Sequence, residues 1–231
     1  MDPLHRRLLE IGFAAGDDLG LVLAGGYAMC AHELVSRPSQ DIDFATATAL
    51  PLATVVQRLS DAYGRAGFSA QVIEATPRMA RMLVSDDAAS CEIDLLKEAL
   101  GPPARMSIGP VLAFEDAVGL KVRALHDRAA HRDFIDIHAA NERLSWIELE
   151  SLGARHTAGF SLDELADRLG AVVERDNRTF RFYGLSWLDI NGLRSWALRW
   201  ESDIRRRLAS GETGPVGPPL EEEWDTYLDA Q

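Results

Sequence analysis

Residues 21–44 constrain the fold more than any other part of the sequence. The apolar run LVLA (21–24) has the composition of a buried strand and leads directly into the pair Gly25-Gly26. Residues 27–35 then have the character of a short helix, and the chain resumes as DIDF (41–44). Glycine allows a sharp turn and leaves backbone N–H groups uncovered by side chains. A glycine turn between a strand and a helix favours an anion, above all a phosphate group.

Two carboxylates follow this turn at alternate positions of the next predicted strand. Because strand side chains alternate between faces, Asp41 and Asp43 share one face while Ile42 and Phe44 face a core. Neighbouring carboxylates repel unless a cation lies between them, and oxygen ligands suit Mg²⁺. Either motif alone is usually an ordinary turn or a solvated strand end. Their order and spacing together predict a phosphate-binding turn beside a metal-binding pair.

A third carboxylate lies on a later predicted strand, residues 90–96. Glu92 and Asp94 share one face of it, and the opposite face is apolar. Burying a carboxylate without a partner is costly. If this strand neighbours the Asp41–Asp43 strand, Asp94 would complete a metal cluster; the alternatives are a salt bridge or an exposed edge. Asp94 is preferred to Glu92 because two leucines follow it, as at a buried strand end.

The rest of the chain predicts an α+β fold, with a mixed β-sheet and flanking helices followed by a helical C-terminal part. The predicted elements before residue 100 are helices at 2–15 and 51–67 and strands at 69–75, 80–86 and 90–96. Gly101-Pro102-Pro103 predicts the boundary between an α/β core, residues 1–103, and a helical domain, residues 104–210. Only helices are predicted in that second part, at 114–130, 133–144, 146–156, 161–169 and 188–208. Residues 211–231, rich in Gly, Pro and Glu, are predicted to be a mobile tail or a docking strap.

Charged residues recur at helical spacing within the predicted helical part. Lys121 and Arg128 fall on one helix face, and Asp133 and Asp136 share another, with Arg132 beside them. Taken singly, these residues suit a lysine extending to solvent and ordinary salt bridges. Their combined pattern, KxxALxxRxxxRDFxDI, placed after the RPSQDIDF segment, is more specific.

With these motifs the chain resembles the AbiEii/AbiGii family of nucleotidyltransferases, which are toxins of toxin–antitoxin and abortive-infection systems related to the mycobacterial MenT toxins. The resemblance covers residues 21–144 and implies the nucleotidyltransferase fold. It also implies that Asp41 and Asp43 bind Mg²⁺, with Mn²⁺ as the alternative ion, and that Asp94 is the third metal ligand. One or both of Asp133 and Asp136 would complete the helical side of the active-site cleft.

The resemblance further implies which residues bind the nucleotide. Gly25 and Gly26 would hold the triphosphate, although many superfamily members have serine at the position of Gly26. Arg37 would orient the strand or touch phosphate. Lys121 and Arg128 would supply positive charge to the phosphates.

The predicted reaction is the transfer of a nucleoside monophosphate from an NTP to an acceptor hydroxyl, with release of pyrophosphate. Because family members modify RNA, the expected acceptor is the 3′ end of tRNA, and the expected protein partner is an antitoxin. The run Arg205-Arg206-Arg207 could hold RNA; the alternative is a basic helix C-terminus favoured by the helix dipole. Two rival functions stay open: a small-molecule nucleotidyltransferase of the antibiotic-modifying kind, and a non-catalytic nucleotide- or partner-binding module on the same fold.

The composition limits which binding partners and which cellular compartment are expected. The net charge of −12 and the pI near 4.9 argue against an undirected nucleic-acid binder and suit a cationic acceptor better than RNA. The two cysteines form no zinc motif, so free thiols in a reducing compartment are expected. The N-terminus lacks the apolar core of a signal peptide and no run is long enough to span a bilayer, so we expect a cytoplasmic protein without membrane contact.

Overall fold

The structure, a computed structural model, describes residues 1–217 and divides between Ala117 and Val118 into two compact units. The strands are β1 (Val22–Leu23), β2 (Ile42–Thr46), β3 (Ser69–Ala75), β4 (Met79–Ser85), β5 (Ser90–Lys97), β6 (Ala104–Met106) and β7 (Gly109–Val111). The helices are α1 (Pro3–Ala15), α2 (Gly25–Ala31), α3 (Leu52–Arg65), α4 (Phe114–Asp127), α5 (His131–Ala140), α6 (Trp146–Arg155), α7 (Leu162–Gly170), α8 (Asn177–Phe182) and α9 (Trp187–Ala209). Single 3₁₀ turns lie at Asp17–Leu19 and Ala171–Glu174.

The first unit is built on one mixed sheet with the strand order β3–β4–β5–β2–β1–β7–β6. Strand β2 is parallel to β5, and β1 is parallel to β7, while the remaining neighbours are antiparallel. In the β2–β5 register Asp43 lies opposite Asp94. The predicted mixed sheet, and the predicted pairing of the two carboxylate-bearing strands, are therefore confirmed.

The apolar face of β2 is anchored by the helices that cover the sheet. Phe44 is fully buried, and its ring lies edge-on to Phe13 of α1 with ring centroids 5.5 Å apart. Helix α1 also packs against α3, where the Tyr63 hydroxyl donates a 3.2 Å hydrogen bond to the carbonyl of Leu8. Since strand side chains alternate, burying Phe44 on this side places Asp43 on the opposite face of β2.

The hairpin of β6 and β7 corrects the expectation that only helices follow Gly101-Pro102-Pro103. Strand β7 pairs with the two-residue strand β1, so the sheet continues past the predicted boundary and the first unit ends at Ala117. Each of these strands is three residues long, which is too short to display the alternation that marks a strand in a sequence.

The second unit is helical in its described residues, as predicted, with α5, α7 and α8 each packing against the long helix α9. Serine side chains cap the N-termini of α6, α7 and α9 through Ser145, Ser161 and Ser186. Its core contains a fully buried carboxylate, Glu150, which accepts hydrogen bonds from Arg207 and from the Trp200 indole N–H. The short helix α8 was not predicted from the sequence.

The end of the described chain packs against the second unit. A Cβ added at Gly214 would contact Leu162, and one added at Gly217 would overlap the backbone of Thr157. These close contacts favour the docking-strap alternative for residues 211–217. The remaining part of the predicted tail, residues 218–231, lies outside the described residues. Of the helices in residues 1–217, none combines the length and apolar character needed to cross a membrane.

We expect Phe44→Ala to lower the free energy of unfolding by about 3–5 kcal/mol, because it removes a fully buried aromatic side chain that β2 needs for its orientation. Urea denaturation followed by circular dichroism measures this loss. The matched control is Ile73→Ser on the edge strand β3, where the side chain is 54% exposed and the change should stay within about 0.5 kcal/mol. Equal losses in the two variants would contradict the assignment of Phe44 to the core.

Candidate active site

The glycine pair begins helix α2 and lies directly against the second aspartate. Gly25 has φ +57, a left-handed conformation, and a Cβ added there would overlap the Asp43 carboxylate. At Gly26 an added Cβ would come within 2.6 Å of the Ser39 hydroxyl oxygen and 3.4 Å of Arg37 Nη1. Glycine is required at the first position by its backbone conformation and by the close approach of the carboxylate. The two motifs predicted from the sequence thus form one contiguous site.

Asp41 and Asp43 flank the fully buried Ile42 at the start of β2, and both carboxylates lie at intermediate exposure. The Ser39 hydroxyl donates a 3.1 Å hydrogen bond to Asp41 Oδ1, which helps to orient that carboxylate. The predicted alternation of these residues is confirmed. Carboxylate oxygens beside a glycine cradle are hard donors of the kind that Mg²⁺ prefers, so the residues present fit this ion.

Arg37 places a positive charge beside the glycine turn. Its side chain is buried, with only 8% of its surface exposed, and Nη1 donates a 3.4 Å hydrogen bond to the carbonyl of Pro38. A buried guanidinium next to backbone N–H groups is suited to binding a phosphate.

Helix α2 is attached to α1 through the first side chain after the glycine pair. The Tyr27 hydroxyl and His5 Nδ1 lie 2.6 Å apart in a buried hydrogen bond. Burial raises the pKa of Tyr27 to about 12 and lowers the pKa of His5. Both groups are therefore neutral near pH 7, and the contact is structural.

Asp94 lies opposite Asp43 on the neighbouring strand, but its carboxylate is held by an arginine. Arg81 of β4 donates from Nε and Nη2 to the two oxygens of Asp94, each at 2.7 Å. Hydrogen bonding to Asp94 raises the pKa of the Arg81 guanidinium, with a smaller contribution from Asp41. The salt bridge left open as an alternative in the sequence is thus present. No group of three His, Cys, Asp or Glu side chains within residues 1–217 is arranged to hold a metal ion.

Sequence reasoning missed Arg81 as a member of the site. The signal was available, because residues 80–86 and 90–96 were predicted as the two strands of a hairpin. In the β4–β5 register Arg81 lies opposite Asp94, where opposite charges on one face pair directly. A register for the predicted hairpin would have identified this partner.

The predicted charges of the second unit are paired with one another. Lys121 Nζ lies 2.9 Å from Asp136 Oδ2, and the Asp136 side chain is fully buried. The Asp133 carboxylate accepts hydrogen bonds from Arg128 at 3.0 and 3.2 Å and from the backbone N–H of Ala130 at 3.0 Å, which caps α5. The salt bridges expected of the two aspartates are present, but Lys121, which taken singly was expected to extend to solvent, is buried. Their functional roles stay predictions.

The basic run near the end of α9 is neutralised by carboxylates. Arg205 pairs with Asp163 and Asp167 of α7, and Arg206 pairs with Asp203. Arg207 is buried and pairs with carboxylates that include Glu150. These contacts favour the structural reading of the run over its use as an RNA contact.

A mixed sheet in which a strand and glycine turn precede a strand with two half-buried aspartates is characteristic of nucleotidyltransferases. The structure is similar to that of a Helicobacter pylori protein described as a nucleotidyltransferase, with a TM-score of 0.55 and 16% identity over 92% of this chain and 100% of that one. It is similar to JHP933 from Helicobacter pylori, with a TM-score of 0.51 and 18% identity over 90% and 93% of the two chains. It is also similar to MenT4, a nucleotidyltransferase toxin from Mycobacterium tuberculosis, with a TM-score of 0.54 and 15% identity over 91% and 93%. At these identities the likeness establishes the fold.

The sequence itself establishes the family. Residues 7–230 match the model of the nucleotidyl transferase AbiEii toxin family of type IV toxin–antitoxin systems, and the chain belongs to that family. The protein is therefore a nucleotidyltransferase, as predicted, with a nucleotide as its substrate class and an antitoxin as the partner class that the family implies. The match extends well beyond residues 21–144, so it includes the C-terminal helices. No curated protein sequence matches the chain.

We expect Gly25→Ala to reduce nucleotidyl transfer by about 10²-fold, because the added methyl group would displace the Asp43 carboxylate from its position against the turn. NTP affinity measured by calorimetry and the rate of transfer test this expectation. The matched control is Gly64→Ala in α3, where an added Cβ meets no atom within 4 Å. The control should keep full activity and gain about 0.5–1 kcal/mol of stability. Full activity in Gly25→Ala would contradict the proposed geometry of the turn.

Proposed function

We propose that this nucleotidyltransferase transfers a nucleoside monophosphate from an NTP to RNA, with the 3′ end of tRNA as the acceptor, in a Mg²⁺-dependent reaction. The single observation that carries the chemistry is the direct contact between the Gly25 turn and the Asp43 carboxylate. Nucleotidyl transfer requires a phosphate site and a metal site next to each other, and this contact joins them. The resemblance to RNA-modifying toxins supports RNA as the acceptor.

Different residues around the turn would bind the phosphates of the NTP and the divalent cation. The backbone N–H groups of Gly25 and Gly26 would hold the triphosphate, with Arg37 adding positive charge. Asp41 and Asp43 would hold the divalent cation through their carboxylate oxygens. A bound Mg²⁺ supplies charge neutralisation on the phosphate oxygens and on the oxygens that attack and leave. The acceptor hydroxyl would then lose its proton to water and form a bond to the α-phosphorus as the bond to pyrophosphate breaks.

Asp94 is proposed as a further ligand that becomes available when Arg81 releases it. Residues that face each other on neighbouring strands point to the same side of a sheet, so Asp43 and Asp94 share a face. Arg81 supplies the cation that pairs with Asp94 in the structure described here. The roles implied for Lys121, Arg128, Asp133 and Asp136 are kept as proposals, since each of these charges has a partner within its own unit.

A transfer assay with α-labelled NTPs, total tRNA and Mg²⁺ tests the proposed function. We expect label in tRNA with the wild type, and a loss of at least about 10²-fold in the Asp41→Ala/Asp43→Ala variant, because the charge on the phosphates is then not neutralised. The matched control is Asp61→Ala, which removes an exposed carboxylate of α3 in the same unit. Chelation by EDTA should abolish labelling, and Mn²⁺ should restore it.

Other outcomes of this assay would contradict parts of the proposal. Label in a small cationic molecule, and none in RNA, would overturn the RNA acceptor and favour the antibiotic-modifying alternative, which the net charge of −12 suits. Binding of NTP without any transfer would favour the non-catalytic module. Undiminished transfer in the Asp41→Ala/Asp43→Ala variant would contradict the metal site.

The role of Asp94 is tested by comparing Asp94→Asn with Arg81→Met. If Asp94 becomes a metal ligand, Asp94→Asn loses about 10²-fold in activity, whereas Arg81→Met, which leaves the carboxylate in place, retains activity. The metal dependence of the rate should also weaken in Asp94→Asn alone. Equal activities in the two variants, together with non-additive losses of stability in the double variant, would show that the pair is purely structural.

A further inference from the structure

The second unit exposes two aromatic rings that its core does not use. The side chains of Phe182 and Trp187 are 66% and 55% exposed, and they are the only exposed Phe or Trp side chains in residues 1–217. Both lie where α8 and α9 adjoin, at the last residue of one helix and the first residue of the other. Large aromatic side chains are normally buried in a core, so a pair held outside it indicates a binding surface.

The two helix ends that carry these rings are held by capping hydrogen bonds and by a buried neighbouring ring. Asp176 caps α8 by accepting a 2.8 Å hydrogen bond from the N–H of Arg178, and Ser186 caps α9. Phe180, two residues before Phe182, is fully buried, and its ring centroid lies 4.6 Å from that of His131. The exposed rings are therefore presented by anchored helix ends.

Positive charge accompanies the rings. The Arg181 guanidinium carbon lies 5.6 Å from the centre of the Trp187 ring, a cation–π arrangement. Arg178 is also on α8, with 91% of its side chain exposed. Residues 177–188 contain these two arginines and no carboxylate, but Asp176 and Asp189 flank the segment and Asp176 pairs with Arg178 at 3.0 Å. Arg181 is therefore the positive charge that this surface offers to an anion beside the rings.

Rings interleaved with arginine are the elements that bind single-stranded nucleic acid. Every base has a π-face that stacks on an aromatic side chain, and arginine contacts the phosphates that join the bases. The run at 205–207, which the sequence suggested for this purpose, is engaged by carboxylates.

We infer that Phe182, Trp187 and Arg181 form a surface that binds single-stranded RNA of the acceptor, with bases stacked on the rings. Arg178 adds a phosphate contact at the margin of this surface, since it also pairs with Asp176. The inference rests on the proposed RNA acceptor and adds a substrate-binding surface to it. It explains how an acidic chain holds RNA without the neutralised arginines of α9.

Fluorescence anisotropy with a labelled single-stranded RNA 12-mer tests this surface in the full chain. We expect Trp187→Ala to weaken binding by about 10-fold and Phe182→Ala/Trp187→Ala by about 100-fold, since stacking contributes roughly one factor of ten per base. Trp187→Phe, which keeps a ring, should stay within about 3-fold of the wild type. Arg181→Ala should reduce the slope of log affinity against log salt by about one, whereas Arg181→Lys should keep it.

The matched control is Ile147→Ala, which removes an exposed apolar side chain from α6 in the same unit. It should bind RNA as the wild type does, and melting temperatures establish that all variants are folded. If the folded Phe182→Ala/Trp187→Ala variant bound RNA with wild-type affinity, the inference that these rings bind RNA would be contradicted. Loss of antitoxin binding in that variant with RNA binding unchanged would also contradict it and would reassign the rings to a protein partner.

The test separates this inference from the proposed function. If the wild type labels tRNA and the double variant does so with an unchanged KM for tRNA, the inferred RNA-binding surface is contradicted and the proposed transferase activity is supported. If the wild type binds RNA through the rings but transfers no nucleotide to it, the proposed acceptor chemistry fails and the surface stands. A rise in KM with little change in kcat is the result expected when both are correct.

Discussion

The contact between Gly25 and the Asp43 carboxylate sets the geometry of the whole candidate site. It requires a residue without a side chain, in a left-handed backbone conformation, in the turn that follows β1. It also requires a carboxylate that points outward from β2. A backbone hydrogen bond of 2.8 Å from the Ala24 N–H to the Asp43 carbonyl holds the two segments at this distance. Burial of Phe44 on the other face keeps Asp43 in place. The proposed anion site and the proposed cation site are therefore positioned by one antiparallel strand pair and the core beneath it.

A second constraint on the structure is that buried carboxylates need partners of opposite charge. Desolvated carboxylates are costly unless they are paired, and the structure supplies a cation to several of them, as in Arg81 with Asp94 and Lys121 with Asp136. A residue pair of this kind is stable by itself, but either member can also exchange its partner for a metal ion or a phosphate. The same amino acids serve both purposes, so residue type alone does not separate a structural pair from a catalytic one. Substitution of one partner at a time does separate them.

The parts of the fold that were predictable carry strong periodic signals. Strand β4, in which every second residue is buried, and the alternation of Ile42 and Phe44 follow the two-residue period, and the capping serine Ser161 predicted the start of α7. The hairpin of β6 and β7 carries no such signal, because three-residue strands contain less than two full periods. Arg81 was missed for a different reason: its role depends on the register between β4 and β5, which requires the alternation of both strands and the turn between them to be considered together. Helix α8 is only six residues long and is stabilised by its tertiary contacts.

Local composition, more than net charge, decides whether this acidic chain can hold RNA. At physiological ionic strength the Debye length is about 8 Å, so exposed carboxylates farther away contribute little repulsion. What matters is the charge near the rings, where Arg181 is positive, Arg178 is balanced by Asp176, and Asp189 lies in the first turn of α9. Two arginines give only a weak electrostatic contribution, which leaves base stacking on Phe182 and Trp187 as the larger share. An RNA site of this design should prefer unpaired bases over duplex, because a paired base does not present its face to a protein ring.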